Sequence, residues 1–335
     1  MRLEEVQRRK DLHIKICVYE DVEYKIRNGL ERYRLIAGLP DFNYSQIDTS
    51  TELFGKKLKL PIFISPLTGG GTLSKEINFR LAQAAEEIGI AMALGSQKIM
   101  LDYPETKDSF LVRKAAPNIL LFANIGLVHL NHIGYRECLR LVEEVQADAL
   151  MIYVNHLHEA TQKHGDLNWK GLIDKLRFLC ERFPYPVVIK EVGFGFSQNM
   201  LEIIKDLKIA AVDVAGAGGT NWLKIEKSLR GEAHEAWYEE LGTPTAEAIE
   251  AAKKALPGVP IFASGGIRTG VDVVKALALG AKLVGMGLPF LKWAFHSVEA
   301  IIEGVKKVEE EIKLCMWYTA APTLDKLRGK IIFYP

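Results

Sequence analysis

One short segment of the chain, residues 151 to 166, combines side chains that could bind a metal ion or transfer protons. Its sequence is MIYVNHLHEATQKHGD, and it holds three of the eight histidines, which are His156, His158 and His164. Imidazoles and the carboxylate of Glu159 serve both as metal ligands and as proton donors or acceptors. The segment could equally be the polar end of a buried strand.

A zinc site is the weakest of these interpretations. The spacing HExxH, which brings two histidines onto one face of a helix, is absent. On an extended segment, side chains 156 and 158 would share one face and Glu159 would point away from them. We therefore expect His156 and His164 to be ordinary exposed loop residues, which leaves acid–base chemistry or a strand end for the rest.

Four other segments are rich in glycine and could bind a phosphate. They read SPLTGGGT (65 to 72), AGAGGTNW (215 to 222), SGGIRTG (264 to 270) and GMGLP (285 to 289). Glycine allows main-chain N–H groups to approach a phosphate closely, and Arg268 adds a permanent positive charge. A single glycine pair is weak evidence because turns use glycine for geometry alone, but four such segments favour a phosphate site.

The elements that must position these side chains are short apolar runs, each followed by a helical pattern. This alternation is typical of βα units and a parallel sheet. Eight units predict an α/β fold, a closed (β/α)8 TIM barrel, with an open doubly wound sheet as the alternative. The eight runs cover residues 61–65, 90–94, 120–124, 149–154, 186–190, 210–214, 260–264 and 281–286.

No linker rich in proline or serine divides the chain, so we expect a single domain with additions at both ends. We expect an N-terminal arm that covers the barrel over residues 1–58, the (β/α)8 barrel with its ligand site over 59–300, and a C-terminal helix and tail over 301–335. The tail is apolar enough to pack on the barrel or on a neighbouring subunit.

Active sites of such barrels lie at the carboxyl ends of the strands. The glycine-rich segments follow the first, sixth, seventh and eighth runs, and Asn124 and Lys190 end the third and fifth. A lysine at the end of a buried strand requires an anion or an electron-rich ligand, and flavin mononucleotide would supply both. The alternative for Lys190 is an ion pair with Glu191 or Asp213.

Composition argues against some partners. The chain has 43 basic and 42 acidic residues, so no long-range field favours nucleic acid or a membrane surface. The four cysteines are far apart, the charged N-terminus lacks the apolar core of a signal peptide, and no run approaches 18 apolar residues. We therefore expect a cytoplasmic protein without a nucleic-acid partner and without membrane insertion.

The chain resembles the type 2 isopentenyl diphosphate isomerases. The resemblance extends from about Arg9 to Trp293 and rests on the motifs SPLTGG, GSQ, ANIG, KEVGFG, VAGAGGTNW, PTAEA, SGGIRTG and PFLK, in that order. It implies a redox-neutral isomerase that interconverts isopentenyl and dimethylallyl diphosphate. It also implies reduced FMN, Mg²⁺ on the diphosphate, NAD(P)H as the reductant, and a homotetramer or larger oligomer.

The resemblance also assigns roles to individual residues. The FMN contacts it implies are Thr68, Ser96, Asn124, Lys190, Thr220, Gly266, Arg268, Gly287 and Leu288. The substrate contacts it implies are Arg9, Lys10, His13, Lys98, Tyr153, Asn155 and Trp222. The catalytic positions are His158 and Glu159, and Glu159 is also the expected magnesium ligand.

This chain departs from the family on the substrate side. The family pattern His-x-Asn-x-x-Gln-Glu has Tyr153 in place of histidine and His158 in place of glutamine. Lys163 and His164 replace Pro and Glu, and Lys98 replaces an arginine. A histidine titrates near neutral pH and glutamine does not, so His158 could carry out the family's proton transfer or a different one.

Three functions are therefore compatible with the sequence. The first is the isomerase. The second is a paralogue that uses reduced FMN to protonate, cyclise or rearrange a different or longer prenyl substrate. The third is a non-catalytic flavin- or phosphate-binding barrel, against which the retained Asn155 and Glu159 argue. The family usually has a glycine near Ala320, which is a further departure outside the site.

Overall fold

The eight apolar runs form a closed barrel of parallel strands, as predicted, in the computed structural model, which describes residues 3–334. Strands buried on both faces read as continuous apolar runs, and this is why each run could be located within one or two residues. None of the helices in this described range is long and apolar enough to cross a membrane.

The chain enters the barrel through a helix and three short strands. Helix α1 covers Leu3–Tyr19, and the strands are β1 (Tyr33–Leu35), β2 (Thr51–Leu53) and β3 (Lys56–Leu58). Strands β2 and β3 pair as an antiparallel hairpin. Phe54, at the tip of this hairpin, packs against the apolar interior of the barrel.

The barrel strands follow in chain order. They are β4 (Ile62–Ile64), β5 (Ala91–Ala93), β6 (Leu121–Gly126), β7 (Ala149–Val154), β8 (Val187–Glu191), β9 (Ala211–Asp213), β10 (Ile261–Ala263) and β11 (Leu283–Met286). Each strand pairs in parallel with its sequence neighbour, and β11 pairs with β4 to close the barrel. All eight strand-end segments therefore lie on one rim.

Helices lie between and after the strands. They are α2 (Thr72–Ile88), α3 (Lys98–Asp102), α4 (Tyr135–Glu144), α5 (His156–Thr161), α6 (Leu172–Arg182), α7 (Gln198–Ile204), α8 (Trp222–Leu229), α9 (Thr245–Ala255), α10 (Gly270–Leu279), α11 (Leu288–His296) and α12 (Val298–Tyr318). A last strand, β12 (Ile331–Phe333), pairs antiparallel with β1.

The interior of the barrel is filled at the end opposite the rim. Phe63, Phe122 and Phe262, from β4, β6 and β10, are fully buried and contact one another with ring centroids 5.8 to 6.2 Å apart. These strands alternate around the barrel, which is the usual layering of barrel interiors. The aromatic layer fills the lower end of the barrel interior, and the carboxyl ends of the strands form the opposite rim.

Candidate active site

A cavity of about 730 Å³ opens at the carboxyl ends of the barrel strands. This volume lies within the range of cavities that hold cofactors and drug-sized ligands. All the cofactor, substrate and catalytic residues that the resemblance implies line it, whether they come from the strand ends or from α1, α3, α5, α8 and α11. The fold therefore brings together side chains that lie up to 279 positions apart, from Arg9 to Leu288.

Lys190, at the end of β8, belongs to a buried network. Its Nζ donates to Asp213 Oδ2 at 2.8 Å and lies 3.3 Å from Ser264 Oγ, and Ser264 Oγ donates to Asp213 Oδ1 at 2.8 Å. Both alternatives raised for this lysine therefore hold together, because Lys190 is paired with Asp213 and also faces the cavity. The network fixes the ammonium group in position for a ligand.

The loops after β10 and β11 supply Gly266, Arg268, Gly287 and Leu288. Gly266 has a φ of +70°, and a Cβ there would lie 2.5 Å from the carbonyl oxygen of Gly218, so the position requires glycine. Gly287 caps the N-terminus of α11, whose first residue is Leu288. This geometry provides main-chain N–H groups at a helix N-terminus, the usual setting for a phosphate.

Arg268 is paired with an acid that the sequence did not single out. Its Nε donates to Glu23 Oε1 at 3.1 Å, and its Nη2 contacts the same oxygen. Glu23 belongs to the segment after α1, which forms a β-bridge with Thr220. An anion at this corner would compete with Glu23 for the guanidinium.

The remaining cofactor candidates lie on the rim formed by β4 to β6. Thr68 Oγ1 is hydrogen-bonded to Ser74 Oγ at 2.7 Å, so α2 orients it. Ser96 Oγ accepts a hydrogen bond of 3.0 Å from the hydroxyl of Tyr153. Asn124 is buried, and its Oδ1 has no partner in the described chain.

The segment after β7 is a helix, and not the extended strand end that the sequence suggested. Helix α5 begins directly after Asn155, so residues 155 and 159 lie one turn apart on the same face. Asn155 Nδ2 donates to Glu159 Oε1 at 2.8 Å, and the backbone N–H of Asp166 donates to Glu159 Oε2 at 2.9 Å. Both side chains are buried at the cavity wall, and Glu159 is held there by both its oxygens.

The loop after α5 folds back tightly onto this wall. A Cβ at Gly165 would lie 1.8 Å from the carbonyl oxygen of Glu159, so only glycine fits. His156 is exposed on α5 and does not line the cavity, whereas His164 is exposed at the cavity mouth. Among residues 3–334, no group of three or more His, Cys, Asp or Glu side chains is placed to hold a metal ion.

His158 contacts a carboxylate that the sequence reasoning missed. Its Nε2 lies 3.0 Å from Glu226 Oε1, and its ring lies against Trp222 with centroids 4.7 Å apart. Trp222 and Glu226 are four residues apart in α8, so they present one face to His158. The sequence shows that Trp222 and Glu226 are spaced to share a helix face. It does not show the contact between His158 and Glu226, which are 68 residues apart.

Helix α1 brings two side chains, Arg9 and His13, to the same carboxylate. Arg9 Nη2 lies 3.0 Å from both oxygens of Glu226, and His13 Nε2 lies 3.7 Å from Oε1, which is too long for a hydrogen bond. Burial alone would raise the pKa of Glu226, but His13, His158 and Arg9 outweigh it and hold that pKa well below its usual value. Glu226 is therefore a buried carboxylate that stays ionised.

Burial changes the pKa values of Lys10 and His13. Burial, reinforced by the charge of Arg9, lowers the pKa of Lys10 to about 8. Burial lowers the pKa of His13 to about 4, so this imidazole is neutral at pH 7. Lys10 forms no ion pair with the part of the chain that the structure describes, so an anion in the cavity would find it available.

Lys98 and Tyr153 occupy positions where the resembling family has an arginine and a histidine. Lys98 Nζ contacts both oxygens of Asp102, one turn along α3. Desolvation raises the pKa of Tyr153, so its hydroxyl is neutral at pH 7 and donates to Ser96. Neither side chain offers an unpaired charge in this arrangement.

Several buried polar atoms in the cavity wall have no hydrogen-bond partner in the described chain. They are Ser65 Oγ, Asn124 Oδ1, Asn155 Oδ1 and His13 Nε2. Buried polar groups in folded proteins are nearly always satisfied, so these atoms indicate where a ligand, metal ion or water completes the site. Ser65, the last residue of the first predicted run, is a third position, after Glu23 and Glu226, that the sequence did not single out.

Comparisons with known proteins agree with this geometry. The profile of the FMN-dependent dehydrogenase family matches residues 25–101 and 131–333. Among proteins of known name, an isopentenyl-diphosphate delta-isomerase of Nostoc sp. is 42% identical, covering 97% of this chain and 95% of its own length. A protein of that name from Mycolicibacterium vanbaalenii is also 42% identical, over 97% and 96%, and one from Rickettsia rickettsii is 38% identical, over 96% of each chain.

Solved structures support the fold alone. A mandelate oxidase variant with (S)-mandelic acid superposes with a TM-score of 0.65 at 15% identity, covering 98% of this chain and 96% of that chain. A flavocytochrome b2 variant with sulfite bound gives a TM-score of 0.68 at 17% identity, over 99% and 88%. Given the full-length relatives and the family match, the chain belongs to the FMN-dependent dehydrogenase family and, within it, to the isopentenyl-diphosphate delta-isomerases.

Proposed function

We propose that this protein is an FMN-dependent, redox-neutral isomerase that interconverts isopentenyl diphosphate and dimethylallyl diphosphate. The observation that carries the proposal is that the cavity wall has two separate sets of cationic groups. Arg268 lies in the loop after β10, beside the glycine-rich loop after β11, and Lys10 and Lys98 lie on α1 and α3. The first side suits the phosphate of a flavin, and the other suits the diphosphate of a substrate.

The residues of one side fit FMN. Arg268 and the main chain at Gly266, Gly287 and Leu288 would hold its phosphate, since a helix N-terminus and a guanidinium converge there. Lys190 and the unpartnered Oδ1 of Asn124 would meet the polar edge of the ring system, with Thr68, Ser96 and Thr220 beside them. When bound and reduced, FMN supplies a proton-donating N5 and an electron-rich ring that stabilises a neighbouring cation.

The residues of the other side would hold the diphosphate. Lys10 is desolvated and has no carboxylate partner in the described chain, and Arg9 and His13 lie beside it on α1. Lys98 and Asn155 face them from α3 and from the end of β7. A diphosphate would supply the anion that favours the charged form of Lys10, which raises its pKa again.

His158 is placed to hold or move a proton at the alkene. Its Nε2 donates to the ionised Glu226, which fixes the tautomer and the orientation of the ring, and Trp222 covers its face. The Trp222 indole and the closed lower end of the barrel exclude water from the side where a tertiary cation would form. Moving the double bond requires one carbon to gain a proton and another to lose one, so such a group can act in both steps.

Glu159 fits the expected magnesium site. Magnesium is usually bound by one or two carboxylates together with substrate phosphates and waters. Glu159 lies at the cavity wall next to the unpartnered Oδ1 of Asn155, both within reach of the same ligand space. One protein carboxylate beside a diphosphate is sufficient to position the ion.

The resemblance also supports the remaining parts of the proposal. We propose NAD(P)H as the reductant of the flavin, a homotetramer or larger oligomer, a cytoplasmic location, and the division of the chain at residues 58 and 300. Each of these follows from the family or from composition.

The proposal is tested by assaying isopentenyl diphosphate with the anaerobic protein, loaded with FMN and Mg²⁺. We expect a yellow protein that bleaches on reduction and turns over isopentenyl diphosphate only in the reduced state. A protein that does not take up FMN, or that is inactive after reduction, would contradict it. The matched variant Lys190→Ala is expected to lower FMN affinity, because it leaves Asp213 and Ser264 without their cation.

A second candidate is a paralogue that uses the same flavin chemistry on a different or longer prenyl substrate. The observation that favours it is that the Tyr153 hydroxyl is committed to Ser96, so the cavity differs from the family pattern on the substrate side. Parallel assays with isopentenyl, geranyl and longer diphosphates separate the two candidates. Turnover of a longer substrate without turnover of the five-carbon one would favour the paralogue.

A further inference from the structure

His129 is a cavity-lining histidine that neither the motifs nor the proposed mechanism uses. It lies in a short 3-10 helix, Leu127–Asn131, that directly follows β6. The charged groups that face its ring are Glu159, Asp166 and Asp102 on the acidic side and Lys98 on the basic side. All four line the same cavity as His129, and two of them, Lys98 and Glu159, are proposed to bind the substrate diphosphate and its cation.

The imidazole of His129 is available for a ligand. It makes no hydrogen bond with any of residues 3–334, whereas the nearby His132 is paired with Asp166. A neutral imidazole carries one N–H donor and one acceptor, so it can donate to a phosphate oxygen without being protonated. His129 is therefore a donor that points into the cavity with no partner.

Two neighbouring side chains of the wall, Lys98 and Tyr153, already have partners. Lys98 is paired with Asp102, and Tyr153 directs its hydroxyl to Ser96. Tyr153 lies over the start of the 3-10 helix, because a Cβ at Gly126 would come within 2.9 Å of its ring. Gly126 and Tyr153 are register partners on β6 and β7, so the loop that carries His129 begins beside the tyrosine.

We propose that His129 binds the diphosphate of the substrate, supplying from the β6 loop an imidazole that position 153 on β7 lacks. The inference rests on the proposed function, since it names a substrate contact of that same site. It makes His129 and Tyr153 a linked pair: the histidine is needed because a tyrosine occupies position 153. Loss of one hydrogen bond to a charged group corresponds to about a tenfold loss in affinity or more.

The test compares His129→Ala with the wild-type holoenzyme in the presence of Mg²⁺. We expect the KM for isopentenyl diphosphate and the inhibition constant of inorganic diphosphate to rise together by about tenfold or more, with a smaller change in kcat. The matched control is His156→Ala, an exposed histidine on α5 outside the cavity, for which both constants should stay unchanged. FMN content and thermal stability establish that each variant is folded.

A double variant tests whether His129 binds the diphosphate or only supports the structure of the loop. Adding Tyr153→His to His129→Ala should lower the KM and the inhibition constant again, because it returns an imidazole to the cavity from the neighbouring strand. His129→Asn, which keeps an N–H donor, should stay within about threefold of the wild type and covers the case in which the alanine variant is unstable. Unchanged constants in His129→Ala, or a rise that Tyr153→His does not reverse, would overturn the inference.

Failure of the proposed function gives a different result. The wild type could fail to turn over isopentenyl diphosphate and still bind inorganic diphosphate more tightly than His129→Ala. That result would support the contact between His129 and the diphosphate and contradict the proposed isomerase reaction. If the wild type turns over the substrate and His129→Ala has the same KM and the same inhibition constant, the isomerase reaction is supported and the His129 contact is contradicted.

Discussion

Glu226 organises the substrate side of the cavity at the level of single residues. Its Oε1 accepts a hydrogen bond of 3.0 Å from His158 Nε2, and Arg9 Nη2 lies 3.0 Å from both of its carboxylate oxygens. The carboxylate thus joins α1, which carries the basic residues, to α5, which carries the proposed catalytic histidine. Removing its charge leaves the shape of the wall intact but removes the anchor for both helices.

We expect Glu226→Gln to lower kcat for the proposed reaction by about 10- to 100-fold, because hydrogen bonds to a charged group are each worth about 1.5–3 kcal/mol. FMN binding should be unchanged, since the Lys190 network does not involve Glu226. Steady-state kinetics and the flavin absorbance measure the two effects. Glu232→Gln, at an exposed ion pair with Lys227, is the matched control, and equal kcat values in both variants would refute the role of Glu226.

The raised pKa of Glu191 makes the stability of the protein depend on pH. Its Oε2 accepts four backbone N–H bonds of 2.6 to 2.9 Å from residues 192 to 195, but burial outweighs them and raises its pKa to about 7. The second oxygen can hold the proton. Because the folded pKa is raised above the unfolded value of 4.5, the stabilisation is fully present below pH 4.5 and is lost as pH rises through 7.

The variant Glu191→Gln cannot titrate and therefore isolates this effect. Relative to wild type, its free energy of unfolding should increase by about 2–3 kcal/mol between pH 5 and pH 8, in line with about 1.4 kcal/mol per pKa unit. Denaturant titrations at the two pH values measure the difference, and subtraction of the wild-type curve cancels the histidines that titrate in both proteins. A constant difference across this range would show that Glu191 is ionised throughout.

At the scale of elements, the end of α12 contains a strained alanine. The N–H of Ala321 donates to the carbonyl of Met316 at 2.8 Å and that of Ala320 to Trp317 at 3.0 Å, which is the Schellman pattern of helix termination. Ala320 has a φ of +51°, where glycine is usual. The family's glycine near this position therefore has a physical reason, and this chain departs from it at a cost.

We expect Ala320→Gly to stabilise the protein by about 1 kcal/mol or more, because it removes the left-handed strain of a residue with a Cβ. Thermal unfolding followed by circular dichroism measures the change. Ala321→Gly is the matched control: its φ is not positive and its side chain is fully buried, so it should destabilise. The same sign for both variants would mean that backbone strain at Ala320 is negligible.

The strands were predictable from the sequence, and parts of the site were not. Buried parallel strands leave continuous apolar runs, and β7 covers the predicted residues 149–154 without any shift. Helix α5 was wrongly expected to be extended, because six residues are too few to show a helical period. The partners of His158 and Arg268 were missed because Glu226 and Glu23 lie far away in sequence, on elements whose packing no local pattern reveals.

At the scale of the whole molecule, the cavity has two halves, one proposed to bind a phosphate and the other formed with α1. Loops after β10 and β11 carry the first, and α1, α3 and α5 carry the second. If FMN occupies the first half, its phosphate should contribute to stability independently of any prenyl substrate. This can be measured on the apoprotein, without reduction and without turnover.

We expect FMN at a hundredfold excess over its dissociation constant to stabilise the apoprotein by about 2.7 kcal/mol, through binding to the folded state alone. Riboflavin at the same concentration, which lacks the phosphate, should raise the melting temperature by less. Arg268→Ala should reduce the difference in melting temperature between the FMN and riboflavin complexes, since it removes the guanidinium proposed to bind the phosphate. Equal shifts for FMN and riboflavin in the wild type would place the phosphate elsewhere.

The pairing of cations with carboxylates in the cavity has a consequence for how ligands enter. Four of the five lysine and arginine side chains in the wall, namely Arg9, Lys98, Lys190 and Arg268, already have a carboxylate partner. A phosphate that binds to one of these four side chains must therefore compete with its carboxylate partner, and a displaced carboxylate leaves a negative charge without its cation in the cavity. A prenyl diphosphate is thus expected to enter as its magnesium complex, because the incoming ion restores the neutrality that the displaced carboxylates would disturb.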